Sequence, residues 1–338
     1  NWIQRTVGDE EMAKSFVDVL SNIRFDVSDP NAADLTVSLI SSSLDPEGRV
    51  RYKEFRAMPE GLGSYLAYLY SEPSGAQLFA DTIFADITIL VIESQFGAGG
   101  ASLGMTKAIE HIRSTLKQTD FGGGIERCLY DMNPAMPCLS PLLKDYFVMD
   151  DEDILPAMEQ VAAKSPETLP MDRHIAAFIS ARFKKDTNNL MKGLGNRDLP
   201  ALVVLSLLRI YSIIQWRLGP KKLPNLCSWI GRLLGPVIDS YHGIPLRKKL
   251  HSQLQGTVVK GSLIEVLNLV DDPNHRREDE TGFRNDLIEY ASMNAEIAEL
   301  ALTSDGQSRE SLKTANRISA GVSLFIAILI ITMMIIVA

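Results

Sequence analysis

The last 21 residues, Ile318 to Ala338, read ISAGVSLFIAILIITMMIIVA and carry no charge. As a helix they span roughly 31 Å at about 1.5 Å per residue, the thickness of a bilayer's hydrocarbon core. No other feature constrains the chain as strongly. It predicts a C-terminal membrane anchor, 318–338, in contact with lipid, and some 317 residues outside the bilayer. Lys313 and Arg317 flank the anchor on its N-terminal side, so the positive-inside tendency places the bulk of the chain in the cytoplasm. Residue 1 is Asn and no signal peptide follows, which leads us to expect a fragment or a processed product.

The remainder reads as all-α. Aromatic residues make up 7% of the chain, and alternating β-branched runs are few, while the 46% hydrophobic content suffices for a packed core. Charge is unevenly spread. Residues 1–160 hold 12 basic and 25 acidic residues, whereas 201–260 hold nine basic residues and a single acid, Asp239. With the polar, proline-bearing KSPETLP at 164–170 as a boundary, four parts are expected: an acidic helical domain, 1–165; a basic helical domain, 166–272; a charged helical stalk, 273–317; and the anchor.

Helical spacing is found around Phe16, Leu20 and Ile23, over 31–41, at Tyr65 to Tyr70, over 78–96, and over 105–116 after a glycine turn at 97–104. A short helix is expected at 125–131, and 150–163 opens with four acids, as a helix N-terminus prefers. Further helices are expected over 171–192, 199–218, 226–241, 246–259 and 273–301. The segment 199–218 is the most apolar outside the anchor, but Arg209 near its middle marks it as a buried core helix.

Candidate sites are few. SLDPEGRVRYKEF at 43–55 matches the spacing of an EF-hand calcium loop through Ser43, Asp45, Glu47, Gly48 and Glu54. Three basic residues, Arg49, Arg51 and Lys53, stand against it, and a chance match in a helix–turn–helix is the competing reading. The basic segment presents Arg217, Lys221, Lys222, Trp229, Arg232, Arg247, Lys248 and Lys249 as a surface for anionic lipid or an acidic protein partner. Nucleic acid is not expected at a net charge of −8. Phe283, Leu287, Tyr290, Asn294, Ile297 and Ala301 follow steps of four and three, the a/d pattern of a coiled-coil seam. Self-association through this seam stands beside packing on the chain's own domain.

Catalytic signatures are lacking. GAGGASLG and FGGG are not followed by the Lys-Ser/Thr of a phosphate loop. The five histidines show no paired metal spacing, and there is no nucleophile elbow. Cys128, Cys138 and Cys227 read as reduced cytosolic thiols, with a Cys128–Cys138 disulfide as the alternative. One enzymatic reading survives, a site built from the 121–146 loop with His174.

Three stretches carry a resemblance: GIERCLYDMNPAMPCLSPLL (124–143), DRHIAAFISARF (172–183), and LPNLCSWIGRLLGPVIDSYHGIPLRKKL (223–250) running into VDDPNHRREDETGFRNDLIEY (270–290). Over about residues 55–338 the chain resembles the C-terminal helical region of a family of alphaproteobacterial membrane-anchored proteins described as serine/threonine-kinase-like. The resemblance implies a kinase-like portion ahead of such a region, at the bacterial inner membrane. The kinase glycine-rich loop, HRD loop and DFG are absent, so no kinase residue is carried over. The expected function is therefore non-enzymatic: a membrane-tethered scaffold or regulatory region acting through protein–protein contacts, without cofactor unless the 43–54 loop takes calcium.

Overall fold

The structure is a computed structural model of the 338-residue chain. It describes residues 32–45, 48–84, 100–164, 167–183, 187–196 and 198–337, with isolated positions before residue 32. The expected helix around Phe16, Leu20 and Ile23, and the later part of the 78–96 helix, lie outside the described residues. The fold is all-α: about 75% helix, with 14 helices and almost no strand among the described residues.

In chain order, α1 (Ala32–Leu44) leads into a hairpin of β1 (Val50–Tyr52) and β2 (Phe55–Ala57). Then come α2 (Leu62–Tyr70), α3 (Gly75–Phe84), α4 (Gly100–Leu116) and α5 (Gly124–Met132). The hairpin is the main departure from the sequence reading. Tyr52 pairs with Phe55, leaving Lys53 and Glu54 as a two-residue turn with Lys53 at a φ of 53°. Tyr52, Phe55 and Ala57 point into the core while Arg51 and Arg56 face water, so a short period-two pattern overrides the helix expected there. Phe55 is fully buried, edge-on to Tyr65 with ring centroids 5.0 Å apart. Ser38 Oγ, on α1, donates to the Arg51 carbonyl. α2 crosses α5 closely at Gly63, where a Cβ would sit 2.7 Å from the Met132 carbonyl oxygen.

The chain continues through α6 (Asp151–Ala163), α7 (Arg173–Arg182), α8 (Asn188–Leu194), α9 (Pro200–Leu218), α10 (Pro224–Leu233), α11 (Gly235–Asp239), α12 (Ile244–Val258) and α13 (Leu263–Val270). Two expected helices are split. The 171–192 helix ends when Phe183 leaves the helical region, and α8 restarts in the poor helix-forming run Thr187-Asn188-Asn189. The 226–241 helix breaks at Gly235-Pro236, where proline lacks the N–H the helix needs. α4 begins at Gly100, inside the expected glycine turn. All three cysteines are free and buried, which removes the Cys128–Cys138 disulfide.

α9 is the hub. It packs against α6, α8, α10, α11 and α13, and Leu208, Ile210, Tyr211 and Ile214 are fully buried. It is one of two described helices long and apolar enough to cross a membrane, and 56% of it is buried in protein. The buried core helix is therefore what the structure contains. Its one deep amide, Gln215, is fully used: Nε2 donates to the Pro220 and Gly261 carbonyls at 3.1 and 3.2 Å, and Oε1 accepts from Leu263 N at 2.8 Å. This ties α9 to the start of α13. Gly261 has a φ of +77°, and a Cβ there would lie 2.7 Å from Leu223 N, so the approach needs glycine.

Two compact units result, one of 1–240 with 248–270, the other of 241–247 with 271–338. The expected boundary at 165 is not a division between units, because α5 packs on α7 and α6 on α10 across it. In the second unit the expected stalk and anchor are a single helix, α14 (Pro273–Val337), of 65 residues, about 98 Å long.

Gln215→Leu is expected to destabilise the first unit by on the order of 1–3 kcal/mol, since it strands the Leu263 N–H and takes the side-chain donor from the Pro220 carbonyl, while the Gly261 carbonyl keeps its bond from Leu223 N. Urea denaturation of the full chain in detergent, followed by tryptophan fluorescence, measures it; an unchanged midpoint would contradict the role given to this amide.

Candidate functional site

The first turns of α14 are gripped by 241–247. The His242 and Gly243 backbone N–H groups both donate to the Asp279 carboxylate at 2.8 Å. The His242 ring stacks flat on Phe283 with centroids 3.8 Å apart. Arg276 lies over the Tyr241 ring at 4.5 Å and pairs with Asp271 at 3.0 Å. Beyond this clasp the helix is solvent-exposed at every side chain described. Leu287, Tyr290, Met293, Ile297 and Leu300 are all exposed. Phe283, the first expected seam position, is taken by His242. Lys313 and Arg317 are exposed just ahead of the uncharged run, and the Arg309–Met333 stretch is 0% buried.

The basic segment resolves into two kinds of residue. Arg217, Lys221, Lys222, Arg232, Lys248 and Lys249 are exposed, as a lipid- or protein-facing role requires. Trp229 is not: it is 2% exposed, and its indole N–H donates to the Thr168 carbonyl at 3.0 Å. It is a core residue, and the tryptophan that faces solvent is Trp216, at 74% exposure. Arg247 is half-buried, with Nε unpartnered among the described residues.

Among the described residues the EF-hand frame is not assembled. Its positions 8 to 10 are β1, and Glu54, the expected bidentate ligand, sits exposed in the hairpin turn. Asp45 closes α1 with its N–H bonded to the Ser41 carbonyl. No group of three or more potential ligands is assembled among the described residues. The side chain of Ser43 and the whole of Glu47 lie outside them.

The structure does bring the 121–146 loop to His174. Leu139 N donates to the Tyr130 hydroxyl at 2.9 Å, and that hydroxyl hydrogen-bonds His174 Nδ1, also at 2.9 Å. The other ring nitrogen, Nε2, lies 3.3 Å from the Tyr70 hydroxyl. Cys138 hydrogen-bonds the same phenol, and Ser140 donates to Asp172, which caps α7 through Ile175 N at 2.9 Å. Chemically the cluster is poorly equipped. Burial pushes the Cys138 thiol up to about 12, which leaves it protonated rather than a thiolate nucleophile at neutral pH. Burial also raises Tyr130, and neither it nor His174 lines a described cavity. Cys128 is elsewhere, in a cavity of about 350 Å³ with Glu60, His111 and Asp131, and burial raises it to about 12 as well. Asp131 there is bound by Arg127 at 2.7 Å. The FGGG loop borders a second cavity of about 510 Å³ with Lys117 and Lys192.

The clasp and the Tyr130–His174 contact join residues far apart in sequence; the hairpin is local, and the VRY/FRA alternation was its signal. Comparison with protein-family models, curated proteins and solved structures gives no match.

At pH 8 iodoacetamide is expected to leave all three cysteines of the folded chain unlabelled and to label all three after denaturation. Mass spectrometry reads the adducts. Rapid native labelling of Cys138 would reinstate a nucleophile in the 121–146 loop.

Proposed function

We propose that this chain is a membrane-tethered helical module that acts through protein–protein contacts, as a scaffold or regulatory region. The observation that carries the reading is α14: one unbroken helix whose Arg309–Met333 stretch is apolar, long enough to span a bilayer and 0% buried. An apolar helix without protein cover needs lipid, and α9, of similar composition, shows the contrast by finding its cover inside the first unit. Lys313 and Arg317 favour a cytoplasmic side for residues 1–317. Three protonated, free thiols suit a reducing compartment. The exposed cations Arg217, Lys221, Lys222, Arg232, Lys248 and Lys249 supply a surface for an acidic partner or anionic headgroups. The resemblance of 124–143, 172–183 and 223–290 favours a bacterial inner-membrane setting, as the non-catalytic part of a kinase-like protein.

Expressed in bacteria, the full chain is expected to stay with membranes through carbonate washing and to be cut by protease only in inverted vesicles. The double variant Leu329→Asp, Ile330→Asp is expected to release it, since each central charge costs about 2.5–3.5 kcal/mol of insertion. A wild-type chain recovered in the soluble fraction would sink the proposal. Crosslinking in the same membranes is expected to recover partner adducts, and a chain that stays solitary argues against scaffolding.

A further inference from the structure

We infer that the exposed face of α14 is a self-recognition seam, on which two copies of the chain pair in parallel and in register. The inference rests on the membrane-anchored reading above. By sequence, every a/d position from Leu287 onward is uncharged: Leu287, Tyr290, Asn294, Ile297 and Ala301, then Ser304, Ser308, Ser311 and Ala315, and into the apolar segment at Ile318, Val322, Phe325 and Leu329. The eight charges between 287 and 317, among them Glu289, Glu296 and Glu299, all fall off this line. The seam therefore does not stop at the membrane surface; one heptad register runs through both environments.

Three observations select a second copy as the occupant. First, the face is open in this chain: Tyr290 and Ile297 are 61% and 63% exposed, and Met293 and Leu300 at the adjoining g positions widen the apolar strip. A solitary helix with such a strip leaves it in water, and burying it against a partner helix is favourable. Second, the anchor dictates direction. Two copies inserted in one bilayer share polarity and height, so their seams meet parallel and unshifted, as the heptad geometry requires. Third, Asn294 occupies an a position. In a parallel, unshifted pair it faces the Asn294 of the other copy, and the two amides bond each other; any shift, or an apolar partner, strands them. The small residues at 301, 304, 308, 311 and 315 allow the backbones to close up between the two larger apolar blocks.

The test is a cysteine scan of residues 289–301 in the full chain, reconstituted in phosphatidylethanolamine–phosphatidylglycerol vesicles. The native thiols are buried and stay silent. Mild oxidation is expected to give disulfide dimers most readily from Tyr290→Cys, Asn294→Cys, Ile297→Cys and Ala301→Cys, and least from Glu296→Cys and Glu299→Cys. Adding Ile297→Asp to Tyr290→Cys is expected to cut the dimer yield about tenfold or more, whereas Glu296→Gln leaves it unchanged. A flat profile, or no dimer from chains that resist carbonate extraction, overturns the seam while leaving the anchor standing. Chains extracted by carbonate overturn both. Tagged and untagged copies that do not co-purify, while the seam crosslinks to a different protein, overturn the choice of a second copy.

Discussion

Burial of a single 19-residue helix, α9, is the condition on which the first unit depends. It meets five other helices, and α8, α11 and α13 find their main wall in it. The contacts are mainly apolar and non-directional, which by themselves permit sliding and rotation. Directionality comes from a few polar groups set among them. Gln215 bonds two backbone groups at the start of α13 and the Pro220 carbonyl just past its own helix, and the Tyr211 hydroxyl donates to the Pro170 carbonyl. A shift of either helix by one residue would leave those groups unpaired inside a dry core, at a cost comparable to a fair share of a domain's net stability.

α9 and the end of α14 show how little hydropathy says alone. Both pass the same length and composition test for a membrane span. They differ in what is scattered along them. α9 carries Arg209 and Gln215, a charge and an amide that a protein interior can pair and a bilayer core cannot. The run from Ile318 has no charge and no amide, and its described side chains are exposed.

What was legible in the sequence was what short-range periodicity encodes. The helices α5, α6, α9 and α14 begin within a residue or two of their expected starts, because caps such as the Asp150–Asp153 box and proline at the first turn are local signals. Trp229 was misplaced because an indole among cations suits an interface as well as a core; the deciding acceptor, Thr168, lies 61 residues away. The hairpin was missed because three residues per strand scarcely establish a period. The boundary at 165 misled for a related reason: proline and polar residues mark a loop, and a loop divides domains only when the helices on either side decline to pack. Of the candidate site, the long apolar C-terminal helix and the four-and-three spacing ahead of it were readable. The clasp by His242 and Gly243 on Asp279 was not, since it depends on where a distant turn comes to rest.

The unbroken course of α14 has a mechanical consequence. Its helical ladder runs from the clasp at Asp279 to Val337 with no proline after Pro273, so it carries twist along its length. Each residue advances the helix by about 100°, so the azimuth of the clasped end is set in phase with the face presented by the apolar run from Ile318. Rotation at either end becomes rotation at the other, and a change in packing along the apolar run has a direct route to the turns gripped by 241–247.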